Sequence, residues 1–239
     1  YVATNGNDGW DGLRPTWNGS SGPKKTIQAG LNVAGTGEQV IVLPGTYTGA
    51  GNRDLNFLGK DLHLLSEKGP LQTIIDCQAS ASNEHRGILF TNNETPRACV
   101  KGFTIKNGCF TTTGNGGAIA FNNSNPGIFD CLISNNSALN GGAIDIIYSS
   151  PTIANCIIKN NMALGDWSQS NGYGGGININ SIKPFIKNCL IINNWAQTHG
   201  GGIFCSTASP GIYNSTISGN NAPLGGEAIY IWGSPVITN

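Results

Sequence analysis

Short apolar runs, three to five residues long, alternate along this chain with glycine, proline and asparagine. In PTIANCIIKNN, Pro151 to Asn161, Cys156 and Ile158 stand two apart. So do Cys189 and Ile191, Ile144 and Ile146, Ile177 and Ile179, Ile203 and Cys205, and Ile229 and Ile231. A spacing of two places both side chains on one face of a strand. Runs this short, closed by Gly, Pro and Asn, leave no room for a helix.

The runs recur. PGIFDCLISNN from Pro126, PFIKNCLIINN from Pro184, PGIYNSTISGNN from Pro210 and PVITN from Pro235 repeat the phrase at Pro151, at intervals of 25, 33, 26 and 25 residues. A second phrase interleaves with it: GGAIAF at Gly116, GGAIDI at Gly141, GGGINI at Gly174, GGGIFC at Gly200 and GGEAIYI at Gly225. The longest interval carries one insertion, Gly165 to Tyr173. Each unit is thus about three short strands joined by bends, too little to bury an apolar face alone. Stacked units pair backbone to backbone at roughly 4.8 Å and lay like side chains on like. Isoleucines then fill the inside, and Cys131, Cys156 and Cys189 stack in one register that continues at Ser215. Asn136, Asn161, Asn194 and Asn220 form an amide ladder at a tight bend, where Asn tolerates left-handed backbone. The prolines open strands, where a missing N–H is tolerable.

Residues 1–115 are less regular. Ile27, Leu31 and Ala34 are spaced for a short amphipathic helix within Lys24 to Gly35, shielding the open end of the stack. Glu38 to Gly49, Leu55 to Asp76 and Arg86 to Gly108 supply the first three coils, with Phe103 and Ile105 in the Cys/Ile register. The expected fold is all-β: a right-handed, single-stranded parallel β-helix of roughly eight coils of about 25 residues, with an N-terminal capping helix. One domain covers residues 1–239, divided into a cap (1–38), irregular coils (39–115) and regular repeats (116–239) that stop partway through a coil.

Composition narrows the function. Charged residues are 11% of the chain and the net charge is zero. This gives no electrostatic case for nucleic acid or an anionic membrane. No apolar stretch approaches the length of a membrane span. Seven cysteines occur without a CxxC spacing, which argues against a zinc or redox site. The stacked cysteines read as small buried filler, with a bridge between neighbouring coils the alternative, and Cys99 with Cys109 as a candidate loop bridge.

The opening of the chain resembles the N-terminal region of secreted bacterial right-handed β-helix proteins of the pectin-lyase-like superfamily. The matching stretches are YVATNGNDGWDG, TIQAGLNVA, VIVLPGTYTG and GKDLHLLSEKGPLQTIID. The later repeat, with Ile133, Asn136, Ala138 and Gly141 to Ile144, is similar to that of chlamydial polymorphic outer-membrane proteins, which are surface adhesins. Their phenylalanine is isoleucine here. The resemblance implies export from a bacterium, either secreted or to the cell surface. It points to no single activity, because lyases, hydrolases, epimerases and adhesins share the fold.

Catalysis in such a fold needs converging acids and bases. Asp145 follows a core isoleucine and should point outward, in a column with Ala120, Asn178, Phe204 and Tyr230 that gathers no charge. Lys101 and Lys106 have no carboxylate in register, and Lys159, Lys183 and Lys187 are scattered. The candidate binding residues are therefore aromatic. Trp167 and Tyr173 lie in the insertion, Trp195 and His199 in the next coil, with Asp166 as a polar neighbour. They form either a ligand platform or rings packed together to pin a long loop. Asn5, Asn7, Asp8 and Asp11 offer oxygen donors suited to Ca²⁺, the one candidate cofactor, or else make an Asx-turn loop sealing the cap. The expected protein is non-catalytic, adhesive or structural, with a polysaccharide or cell-surface partner or end-to-end self-association. The alternative is a polysaccharide lyase.

Overall fold

The computed structural model describes residues 1–166, 171–180 and 183–238. The Asp8 carboxylate accepts the backbone N–H groups of Lys25 and Thr26 and the Thr26 hydroxyl. Thr26 in turn caps helix α1 (Ile27–Val33) by accepting from the Ala29 N–H. Ile27 and Leu31, four apart and so on one helix face, are fully buried against the strands Gln39–Val42 and Leu55–Asn56.

One turn of the solenoid reads Ile144–Ile147, Thr152–Ala154, Ile157–Lys159 and Met162–Ala163. Each of these strands pairs in parallel with its counterparts one turn above and below. Among the described residues four sheets result, three running the length of the stack and a shorter one along its middle and later coils. The five strands that follow the Gly-Gly pairs, with Leu55–Asn56 and Ile88–Phe90 before them, make a seven-stranded sheet ending at Ile229–Trp232, here called the glycine-led sheet. An eight-stranded sheet runs from Gln39–Val42 to Val236–Thr238, and the cysteine-led sheet, also seven-stranded, from Gly45–Thr48 to Thr216–Ser218. The fourth sheet has four two-residue strands, Cys109–Phe110 to Trp195–Ala196.

Register is fixed by the apolar face. Ile144, Ile177, Ile203 and Ile229 are paired in turn, as are Ile133, Ile158, Ile191 and Ile217. Most of these isoleucines are fully buried, and each contributes roughly 1.5–3 kcal/mol. In the early coils the inner column that continues as Ile146, Ile179 and Cys205 carries phenylalanine: Phe57 meets Phe90 edge-on at 4.9 Å, and Phe90 stacks on Phe121 at 5.3 Å. Larger side chains there explain why the first half of the chain lacks the clean repeat of the second.

The stack makes about seven turns, with eight strands in its longest sheet, in line with the roughly eight coils expected. The last repeat, at Pro235, supplies only Val236–Thr238 to the eight-stranded sheet, and Val236 and Ile237 are each 53% exposed. The asparagine pair also divides its labour. The first member, Asn135, Asn160 or Asn193, takes the positive φ, which falls to Gly219 in the next coil. The second members make the ladder. Asn161 Oδ1 accepts from the Asn136 N–H and Nδ2, both at 3.0 Å, and Asn194 and Asn220 repeat the pattern.

The thiols of Cys131, Cys156 and Cys189 are buried one above another and donate to the carbonyls of Phe129, Ala154 and Lys187. Cys156, held between the other two, has its pKa pushed well above the usual thiol range. All seven cysteines are free, so Cys99 and Cys109 do not bridge; they sit in different sheets. The two lysines do find carboxylates. Lys106 is in register with Asp76, 3.3 Å away, and Lys101 lies 3.4 Å from Asp130. Asp130 stands in the turn after its strand, out of reach of a reading confined to strand register.

Candidate functional site

Outward-facing residues of the glycine-led sheet form two columns. Ala120, Asp145, Asn178, Phe204 and Tyr230 are paired in turn, and Ile147, Asn180, Ser206 and Trp232 stand two residues further along their strands. The first column points away from the core, yet Asp145 is only 2% exposed, Asn178 7% and Phe204 4%. The cause is the glycine that opens each phrase. Gly141, Gly174 and Gly200 all have positive φ, and a side chain on any of them would strike the carbonyl of the following isoleucine. The loop before each strand therefore folds back over the sheet.

That fold-back brings Asn115, Asn140 and Asn171 into a second ladder on the outside of the solenoid. Asn140 Nδ2 donates to Asn115 Oδ1 at 3.1 Å and Asn171 Oδ1 at 3.0 Å. Its own Oδ1 accepts from the backbone of Gly172 and Tyr173. Asn171 Nδ2 reaches Asp166 Oδ2 at 2.8 Å. Asn115 and Asn140 each stand immediately before a Gly-Gly pair, a recurrence that would have found this ladder in the sequence.

Asp145 lies beneath. Asn178 Nδ2 donates to its Oδ1 at 2.6 Å. Burial pushes the carboxyl up to about 7, against the opposing pull of Asn178 and Arg86. Arg86 is itself 9% exposed, donates to the Asn115 carbonyl at 2.8 Å and lies 3.9 Å over the Phe110 ring. Burial lowers its pKa, and the charge of Asp145 partly restores it.

Toward later coils the polar face gives way to rings. Tyr173 stacks on Phe204 at 4.3 Å, Phe204 on Tyr230 at 5.6 Å, and Trp232 meets both Phe204 and Tyr230 edge-on. His199 completes the group, 4.3 Å from Tyr230, and its Nδ1 is buried without a hydrogen-bond partner. Trp232 is 60% exposed. Between the rings and the amides lies a cleft of about 250 Å³, lined among others by Asn140, Asn178, Asn180, Tyr173, Phe204 and Trp232.

Of the five aromatic-site candidates, Tyr173 and His199 belong to this cluster, and Asp166 bonds Asn171 beside it. Trp195 does not; it pairs with Met162 in the four-stranded sheet. Trp167 falls outside the described residues. Phe204, Tyr230 and Trp232 are the rings that reading the loops alone left out. The candidate calcium donors are engaged elsewhere. Asp8 holds the start of α1, Asp11 accepts from Ser21, Leu13 and Gly22, and Asn7 accepts from Gly9. Asn5 is exposed. Among the described residues no group of three or more His, Cys, Asp and Glu side chains is placed to hold a metal ion.

A family model described as "Right handed beta helix region" matches residues 66–222. No curated protein matches. Among solved structures, a rhamnogalacturonan lyase matches with a TM-score of 0.54 at 16% identity, over 100% of this chain and 61% of that one. A pectate lyase matches with a TM-score of 0.44 at 13% identity, over 100% of this chain and 77% of the other. The chain thus spans about three fifths of the length of the rhamnogalacturonan lyase. At 16% identity the likeness to the rhamnogalacturonan lyase is one of fold.

Proposed function

We propose, from the premise that this chain belongs to the right-handed β-helix family, that it is an extracellular or cell-surface protein of a bacterium that binds a polysaccharide without cleaving it. The observation that carries this reading is the joined face of rings and amides on the glycine-led sheet. Aromatic faces suit the C–H faces of sugar rings, and side-chain amides suit their hydroxyls. Coils repeat at roughly 4.8 Å, close to the length of one sugar unit, so a linear chain along the solenoid axis passes about one coil per sugar, amides first and rings further on.

Binding is favoured over cleavage by what the cleft lacks. Breaking a glycosidic bond needs an acid or base within reach of the reacting atoms. Among the described residues no Lys, Arg, Asp, Glu or His lines the cleft. Asp145 lies under it, covered and hydrogen-bonded to Asn178.

The test is native gel electrophoresis through soluble polysaccharides, comparing wild type with Trp232→Ala. The wild type is expected to be retarded by at least one polymer, and the variant to lose roughly tenfold in affinity, the worth of one stacked ring. The same polymers, assayed for unsaturated or reducing-end products, should remain intact. Retardation unchanged by the substitution removes this face from the account, and turnover replaces the binding reading with the lyase one.

A further inference from the structure

Resting on that reading of the face, we propose that its ligand is an uncharged polysaccharide, with hydroxyls but no carboxylate, sulfate or phosphate on its sugar rings. The side chains lining the cleft are amide, aromatic, aliphatic and hydroxyl, with no lysine or arginine among them. The buried cation on this side, Arg86, is closed off: its guanidinium donates to the Asn115 carbonyl and covers the Phe110 ring. Both carboxylates nearby disfavour an anion. Asp145 lies directly under the cleft-lining Asn178, and Asp166 is bonded to Asn171 beside it. Covered by the folded-back loops, Asp145 acts through a poorly screened medium.

The hydrogen-bond direction makes the discrimination specific. An ionised carboxylate only accepts, so Asp145 fixes the amide of Asn178 with Nδ2 toward itself. Asn178 Oδ1 is then the atom left for the cleft. A sugar hydroxyl donates to it; a uronate carboxylate has no proton to give and meets a lone pair instead. Asp145 is thus a positioning residue for ligand class.

The experiment compares one polymer in two charge states: polygalacturonate and its fully methyl-esterified form, beside neutral galactan and mixed-linkage β-glucan. Gels are run in chelator and low salt, at a pH where Asp145 is ionised. Neutral polymers are expected to retard the protein, and the esterified chain to bind roughly tenfold or more tightly than the free acid, since like-charge juxtaposition costs several kcal/mol. Asp145→Asn should narrow that ratio, with binding of the free acid rising relative to the ester; a purely structural role would weaken both forms alike and leave the ratio unchanged. If free polygalacturonate binds as tightly as its ester and Trp232→Ala abolishes that binding, the inference is overturned and the glycan-binding reading survives. If no polymer retards the wild type, both fall.

Discussion

Single residues carry opposite duties within a few positions of each other. Asn160 is exposed and serves its backbone, at a φ of 57° that Asn tolerates. Asn161 is fully buried and serves its amide, which joins its coil to both neighbours. Asn160→Gly is therefore expected to change stability by less than about 1 kcal/mol. Asn161→Ala removes the acceptor of the Asn136 N–H, one of three acceptors of Asn136 Nδ2 and the amide donor to the Ile133 carbonyl, and should cost about 2–4 kcal/mol in urea unfolding. Equal effects of the two substitutions would refute the division of labour. Asp145 links one residue to pH. Its carboxyl titrates near 7 in the fold against 3.8 ordinarily, so the folded state holds its proton more tightly. Its contribution to stability is fully present below about pH 4 and is lost as pH rises through about 7, with roughly 2–4 kcal/mol at stake. Asp145→Asn should flatten unfolding free energy across that window and raise it at the alkaline end. Parallel pH profiles for variant and wild type would count against the buried acid.

At the scale of elements, each strand is too short to persist alone, and the turn before it decides what lies above it. Gly175 shows how tight that turn is: a methyl group there would meet the carbonyls of Trp195 and Gly201. Gly37 also turns with positive φ, 86°, but in open space. Gly175→Ala should thus cost several kcal/mol, because the neighbouring coil's backbone must move, whereas Gly37→Ala should cost about 1 kcal/mol of backbone strain. Thermal melts of the two variants check this, and a melting point for Gly175→Ala near that of wild type would contradict the close approach of coils. The strands themselves were readable from the period of two, because inward side chains are apolar whatever the neighbouring coil holds. The loop that covers Asp145 was not. Its path follows from a glycine's φ and a clash with the next carbonyl, neither of which alters hydropathy.

Over the whole molecule, the main core is a continuous cluster from Val2 to Ile212, beside a small separate stack of Ala163, Ala196 and Ala222, and the strands of each coil pair with those of the coils next to it. Stability in such a stack is nearly one-dimensional. Amide exchange should be slowest at Ile144, Ile158 and Ile177, which have buried coils on both sides, and fastest in Ile229–Trp232 and Val236–Thr238, which are half or fully exposed. Uniform protection along the chain would argue against stacked, separable units. The sequence by itself determined the solenoid, its axis of repetition, the inward isoleucines, the cysteine column and the inner asparagine ladder, because stacking turns a spacing along the chain into a contact in space. Only the tertiary structure decided the joined face of rings and amides. Tyr173, Phe204 and Trp232 come from different coils and from both a loop and strands, and Asn115, Asn140 and Asn171 meet because of how their loops bend. Distances across the outside of a coil depend on the angle of each turn, which no periodicity records.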